Sequence, residues 1–266
     1  MKRNLVKDLL QSGKTAIGSE LTELRSGEVA RIYAAAGFDF VFIDMEHSAF
    51  TIETVGELIR AARAVGIVPI VRVPQAEYVW VSRVLDNGAQ GVIVPRVNTP
   101  QQARDIVSWA KYPPHGIRGY ACTTAQTGGE AISPSEFIKH NNEQTLVVIQ
   151  FERREAIENI EEMLSIPGID VACMGCMDLS IDLGVPGDMD HPEMIAAMER
   201  VVEVSNRRKI ASGIIAADMG LVSKWLERGM RFASYATDAI HLREAARSAA
   251  EKLRKVQPTG RTSCQS

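Results

Sequence analysis

The chain has 266 residues, 45% of them hydrophobic, enough for the core of one large α/β domain or two small ones. Its 30 Lys and Arg residues are scattered among 33 Asp and Glu, for a net charge of −3 without a basic stripe, which argues against nucleic acid or an anionic membrane as partner. No apolar run approaches the ~20 residues of a membrane span, and Lys7, Gln11 and Lys14 interrupt the segment after the basic start Met1-Lys2-Arg3, so a cytoplasmic protein is expected.

In chain order, eight apolar runs bounded by turn signals predict strands at 15–20, 38–44, 68–73, 91–95, 146–152, 170–175, 211–216 and 232–236. Between most of them lie amphipathic stretches, Ile52–Val65, Gln101–Trp109, Arg154–Leu164, Pro192–Arg207 and Asp218–Arg228, with apolar residues at helical spacing. Thr51, Pro100 after Thr99, and Pro192 mark helix starts, while Gly66, Gly88 and Gly229 mark helix ends. Eight strands alternating with helices predict a single (β/α)8 TIM barrel over residues 1–256. A dinucleotide-binding open sheet would show G-x-G-x-x-G after the first strand, where the chain reads Ile17-Gly18-Ser19-Glu20, and a P-loop is also absent. The long connection Lys111–Gln144 is a candidate lid or binding loop, and Gln257–Ser266 is expected to be a disordered tail.

Several of the strands deliver polar chemistry at their carboxyl ends. The run Phe38–Ile43 leads into Asp44, Glu46 and His47, and the third strand carries Arg72. Gln150 and Glu152 are two apart on the fifth strand, so strand periodicity points both into one space, and Asp178 follows the sixth. Two carboxylates converging there, completed by waters and substrate oxygens, describe a Mg²⁺ or Mn²⁺ site, although each acid alone could cap a helix or pair with an Arg. His47, three residues after Asp44, is a candidate general acid/base or a simple loop hydrogen-bonder. Arg72 in an apolar strand needs a partner, either a structural acid or the oxygens of a bound carboxylate or enolate. A Schiff-base mechanism would need a lysine at the mouth, and Lys14, Lys111, Lys139 and Lys209 precede strands or lie in loops.

Four cysteines, Cys122, Cys173, Cys176 and Cys264, do not make a disulfide framework. Cys173 and Cys176 have C-x-x-C spacing, but no second ligand pair completes a zinc site, so they are read as structural thiols ahead of a redox or metal role.

These residues in this order resemble the HpcH/HpaI aldolase family, the metal-dependent class II pyruvate aldolases. The resemblance runs from about Ile17 to Arg247. It is carried by Gly37–His47, Pro69–Val73, Leu85-Asp86-Asn87-Gly88-Ala89, Tyr112–Gly119, Ile149–Glu152 and Met174–Ser180. It implies that Glu152 and Asp178 hold Mg²⁺, Mn²⁺ or Co²⁺, that Gln150 and Arg72 touch a pyruvate-like portion beside Gly175, Cys176 and Met177, and that His47 with Asp44 handles protons, supported by Asp86. It also implies a hexamer built as a trimer of dimers, with the last helix, about 240–256, exchanged between neighbours. The implied activity is cleavage or formation of 4-hydroxy-2-oxo or 2-keto-3-deoxy acids, giving pyruvate and an aldehyde.

The chain departs from the family at Met174-Gly175-Cys176, usually Ile-Gly-Pro, in Tyr120–Gln126, where further Arg residues are usual, and at Glu20 or Leu21, where many members have Trp. Citrate-forming condensation, oxaloacetate decarboxylation and a non-catalytic binding barrel are the alternatives.

Overall fold

The computed structural model describes residues 1–256, and the expected tail at 257–266 lies outside them. All eight predicted strands form: β1 (Ala16–Leu21), β2 (Phe40–Asp44), β3 (Val68–Arg72), β4 (Gly91–Val94), β5 (Leu146–Phe151), β6 (Val171–Gly175), β7 (Ala211–Ala216) and β8 (Phe232–Thr237). Each pairs in parallel with its neighbours in sequence, and β8 returns to β1 to close the barrel.

The surrounding helices are α1 (Leu5–Gln11), α2 (Glu28–Ala36), α3 (Ile52–Val65), α4 (Tyr78–Asp86), α5 (Pro100–Ala110), α6 (Thr124–Thr127) and α7 (Pro134–Gln144). They continue as α8 (Arg154–Glu158), α9 (Ile160–Met163), α10 (Cys176–Asp182), α11 (Pro192–Arg208), α12 (Met219–Glu227) and α13 (Asp238–Arg254). Helix α3 shows why the boundaries were readable. The Thr51 side chain accepts the N–H of Thr54 at its start, and Gly66 stops it at φ 86°, a left-handed conformation that favours glycine.

Two readings change. The stretch 154–164 breaks at Asn159 into α8 and α9. The long connection after Lys111 contains α7, opened by a capping box between Ser133 and Glu136 with Pro134 in the first turn. Because it joins the end of α5 to the start of β5, it lies at the amino-terminal base of the barrel and cannot cover this chain's own mouth.

Alternation divides each strand between two cores. Outward residues such as Val41, Ile43, Val71 and Val92 pack under the helices. Inward residues Phe40, Phe42, Ile70, Ile93, Val148, Cys173 and Phe232 fill the barrel's lower half. There Phe40 stacks on Phe232 at 4.6 Å, and Gly18 is required because a Cβ would lie 2.3 Å from the Phe40 ring. Val6 and Leu10 of α1 join the same inner cluster, closing the base.

Helix α13 is different. Of its 17 residues only Asp238 is buried, and Leu242 and Leu253 are 60% and 72% exposed. Of the stripe Ile240, Leu242, Ala245, Ala249 and Leu253, only the half-buried Ile240 in the first turn packs on its own barrel, and the rest is exposed.

Candidate active site

Toward the carboxyl ends of the strands, the inward-facing series turns from apolar to charged. On β2 it runs Phe40, Phe42, Asp44, on β3 Val68, Ile70, Arg72, and on β5 Leu146, Val148, Gln150, with Glu152 just beyond. Asp44 and Arg72 are register partners, so their side chains meet. Arg72 donates from Nε to Asp44 Oδ1 at 2.8 Å and from Nη2 to Oδ2 at 2.9 Å, a planar fork on a carboxylate. Nη2 also donates to Glu20 Oε1 at 3.1 Å, and Glu46 Oε2 stands 3.3 Å from Nε. Phe42 lies beneath, its ring centre 5.0 Å from the guanidinium carbon. Among the described residues no hydrogen bond uses Nη1, which leaves one edge of the guanidinium for a ligand.

Opposite, Gln150 Nε2 donates to Glu152 Oε2 at 2.7 Å, and the Arg96 backbone N–H donates to Oε1 at 2.5 Å. Arg96 reaches that position in a left-handed conformation, φ 55°, and its Nη2 lies 2.6 Å from Glu46 Oε1. Gly175 borders this pair. A Cβ there would fall 2.6 Å from Gln150 Nε2 and 2.7 Å from Glu152 Oε2. Asp178 is exposed in the first turn of α10, and its charge is felt at Glu152.

Burial pushes the carboxyls of Glu20, Asp44, Glu46 and Glu152 up, and the partners decide the outcome. For Asp44, the Arg72 fork and the N–H groups of Glu46 and His47 outweigh burial and hold the carboxyl below its usual value. For Glu20, burial prevails over Arg72, with Asp44 adding repulsion, and the carboxyl rises to about 7. Burial also carries Glu152 to about 7 against the Arg96 N–H, aided by the charges of Glu46 and Asp178. Glu46 is likewise raised by burial, against Arg72, His47 and Arg96. Five carboxylates thus share the mouth with two guanidiniums and one imidazole, and the site has a deficit of positive charge.

The HpcH/HpaI aldolase/citrate lyase family model matches residues 22–245. The chain belongs to this family. Membership makes it a carbon–carbon lyase. A 4-hydroxy-2-oxo-heptane-1,7-dioate aldolase of Escherichia coli is 34% identical over 250 residues, covering 94% of this chain and 95% of that protein. An HpcH/HpaI aldolase structure from Desulfitobacterium hafniense superposes with a TM-score of 0.89 at 30% identity, covering 96% of this chain and 98% of that one. The citrate synthase SbnG superposes with a TM-score of 0.81 at 28% identity, covering 94% and 98% respectively.

In this HpcH/HpaI member the structure brings together Asp44, Arg72, Gln150, Glu152 and Gly175, and sets His47 and Met177 on the rim. Three expectations need correction. Asp44 does not orient the His47 imidazole, because its oxygens are taken by Arg72 and by the backbone N–H groups of Glu46 and His47. The acid beside the ring is Glu46, with Oε2 3.7 Å from Nε2.

Asp86 does not support that pair within one chain. It ends α4 at the base and accepts from Arg118 Nη2 at 2.7 Å. Cys176 turns its side chain into the outer core, 4% exposed, so its thiol cannot touch a substrate. Burial raises both C-x-x-C thiols, Cys176 to about 12, as fits structural residues.

Lys111 has the depressed ammonium a Schiff-base nucleophile needs, lowered by burial to about 7. It is at the wrong end. Its Nζ donates to the carbonyls of Asn142 and Thr145 at the base.

The sequence reading missed Arg96 and the part played by Glu20. Arg96 could have been found by the same logic that found the others, since it directly follows Val94-Pro95 at the end of a strand. Its left-handed backbone carries no such signal.

Two outcomes are expected here. Gly175→Ala should cut turnover by roughly a hundredfold, the scale of displacing a group whose placement assists catalysis, and should also lower the melting temperature, because the new Cβ must push aside the buried Gln150 and Glu152 side chains. His47, more than half exposed, should be dispensable for the fold but not for proton transfer. His47→Ala should lower aldol cleavage roughly 10²-fold or more in a steady-state assay without changing thermal stability.

Proposed function

We propose that this chain is a divalent-metal-dependent aldolase that cleaves a 4-hydroxy-2-oxo acid, or a related 2-keto-3-deoxy acid, to pyruvate and an aldehyde. The observation that carries this reading is the excess of buried carboxylate at the mouth, where Glu152 is pushed to about 7 and Gln150 Oε1 is buried with no partner among the described residues. A divalent cation fits this donor set. Glu152 and Asp178 would hold Mg²⁺, Mn²⁺ or Co²⁺, with open positions for water and substrate oxygens beside Gly175. Such a cation would supply positive charge to the carboxylate and keto oxygen of the oxo acid.

The chain's own residues do the rest. Arg72, locked by Asp44, presents its free edge to the same oxygens, and its charge counts for more as the enolate develops. Gln150 is fixed by Glu152 and borders the same space. In the cleavage direction His47, directly or through a water, takes the proton of the C4 hydroxyl, the C3–C4 bond breaks, and its electrons pass to the enolate. Glu46 stands beside the imidazole, its Oε2 3.7 Å from Nε2.

The test is a coupled pyruvate-release assay. Excess chelator should abolish turnover and added Mg²⁺, Mn²⁺ or Co²⁺ should restore it, whereas full activity in chelator would defeat the metal assignment. The likeness to the citrate synthase SbnG favours a second reading, condensation of an acetyl thioester with oxaloacetate, in which a new carbon–carbon bond forms at the acetyl methyl carbon and hydrolysis of the thioester releases the thiol and citrate. Citrate formed from oxaloacetate and an acetyl thioester, with no turnover of any 4-hydroxy-2-oxo acid, would select it.

We further infer that α13 packs on a neighbouring copy, in a hexamer arranged as a trimer of dimers, because from Leu242 onward its apolar stripe is exposed on its own barrel. Light scattering should give a multiple of the 29.2 kDa chain mass at micromolar concentration. A cytoplasmic location is part of the same reading, supported by the free thiols of Cys122, Cys173 and Cys176.

A further inference from the structure

Arg72 holds more negative charge than one guanidinium balances. Asp44 takes two of its N–H bonds, Glu20 Oε1 takes another at 3.1 Å, and Glu46 Oε2 stands 3.3 Å away. The three acids are not equally fixed. Asp44 also accepts the backbone N–H groups of Glu46 at 2.9 Å and His47 at 3.1 Å. Glu46 has a second cation, Arg96, 2.6 Å from its other oxygen.

Among the described residues, Glu20 has no cation but Arg72 and accepts no hydrogen bond from the backbone. The charged groups facing it are Arg72 on β3, Asp44 on β2, Glu46 across the guanidinium and Asp238 at the head of α13. Asp238 itself accepts the backbone N–H groups of Thr22, Glu23 and Leu24, which fix the position of its carboxylate. One cation therefore stands against three neighbouring acids.

An oxo-acid anion docking on the free edge of Arg72 would be a further negative group on the same guanidinium. One of the acids must give way, and the least anchored is Glu20. We propose that Glu20 is a positioning residue for the oxo-acid site, taking up one proton from solvent as the anion binds so that Arg72 turns its charge to the ligand. The step forms one O–H bond on Glu20 and breaks none in the substrate. Release of the ligand returns the proton. Burial already holds the Glu20 carboxyl at about 7, and the added anion on the shared guanidinium pushes it well above that. The proposal rests on the oxo-acid reading above and adds to it a carboxyl from β1 that sets the pH dependence of binding.

Calorimetric titration of pyruvate into Mg²⁺-saturated protein, in buffers of different ionisation enthalpy near pH 8, tests it. Wild type should take up about one proton per pyruvate bound, and its Kd should rise by up to about tenfold per pH unit from pH 7 to 9. Glu20→Gln, a neutral isostere, should take up almost none, bind more tightly than wild type at the upper end of that range, and show a flat profile. Protons released or gained by the metal and its waters are common to both proteins, so the difference isolates Glu20.

Equal proton uptake by wild type and variant would overturn the proposal, as would a wild-type Kd that does not change with pH. The second result decides the matter even if the variant does not fold. Absence of pyruvate binding by the wild type itself would defeat the oxo-acid reading and this proposal together, and is distinguishable from either.

Discussion

Arg72→Ala is expected to lower aldol cleavage by roughly 10²–10³-fold, the scale on which a preorganised donor to a developing oxyanion acts, and to abolish metal-dependent deuterium exchange at the methyl group of pyruvate. The same change strips Asp44, Glu20 and Glu46 of their shared cation inside a largely dry site. Removing one member of such a buried cluster costs about 3–5 kcal/mol of stability, so the melting temperature should fall as well. The loss should be larger at pH 8 than at pH 5.5, because acid lets the stranded Glu20 and Glu46 carboxyls bind protons.

Arg72→Lys keeps the charge but cannot reproduce the two-pronged grip on Asp44. It should cost kcat about tenfold or more while retaining most of the stability. If the alanine variant exchanges the pyruvate methyl protons at the wild-type rate, Arg72 serves the ion cluster alone.

Glu152→Gln should do the opposite to stability and the same to activity. The unfolded carboxyl titrates at 4.5, and in the metal-free fold burial raises it to about 7. Between those values the native state holds a proton that the unfolded chain has released, so stability falls as pH rises through this window and stays reduced above it. At pH 8 the penalty is about 3 kcal/mol. The amide variant has no charge to desolvate, still accepts the Arg96 N–H, and can donate to Gln150 Oε1, which the native pair leaves without a partner.

Thermal melts of metal-free protein should therefore show the variant above wild type by several degrees at pH 8, with the gap closing near pH 5. Pyruvate release should be almost lost. A variant that melts below wild type at pH 8 would mean that Glu152 is compensated by a group not identified at the mouth. The trade of stability for charge is expected where a carboxylate is kept dry for a cation.

The barrel was legible because its signal is repeated. Each strand is an apolar run of the right length, and the caps at Thr51, Gly66, Thr99 and Pro100 mark helix boundaries by local chemistry. The acids and Arg72 were legible for a related reason, since strand periodicity alone assigns Asp44, Arg72, Gln150 and Glu152 to the inner face. Which group pairs with which was not. Asp44 and His47 are neighbours in sequence, yet register hands Asp44 to Arg72, 28 positions on, and only its backbone neighbours share it.

Asp86 illustrates the complementary failure. Its motif is recognisable, but its place at the foot of α4 depends on the return of that helix to the base. Arg96 depends on a backbone conformation that its residue type does not advertise.

The closed lower half of the barrel has a kinetic consequence. With the Phe40 and Phe232 rings stacked inside and Val6 and Leu10 sealing the base, everything that enters must leave by the same opening. The oxo-acid end of a substrate would sit deepest, at the layer of Arg72, and the aldehyde end outermost. If the chain cleaves an oxo acid as proposed, the aldehyde would then stand in the doorway with pyruvate behind it, and departure would be ordered: aldehyde first, pyruvate last. Traffic through a single door would make pyruvate the product that lingers, and its concentration the natural brake on the forward reaction.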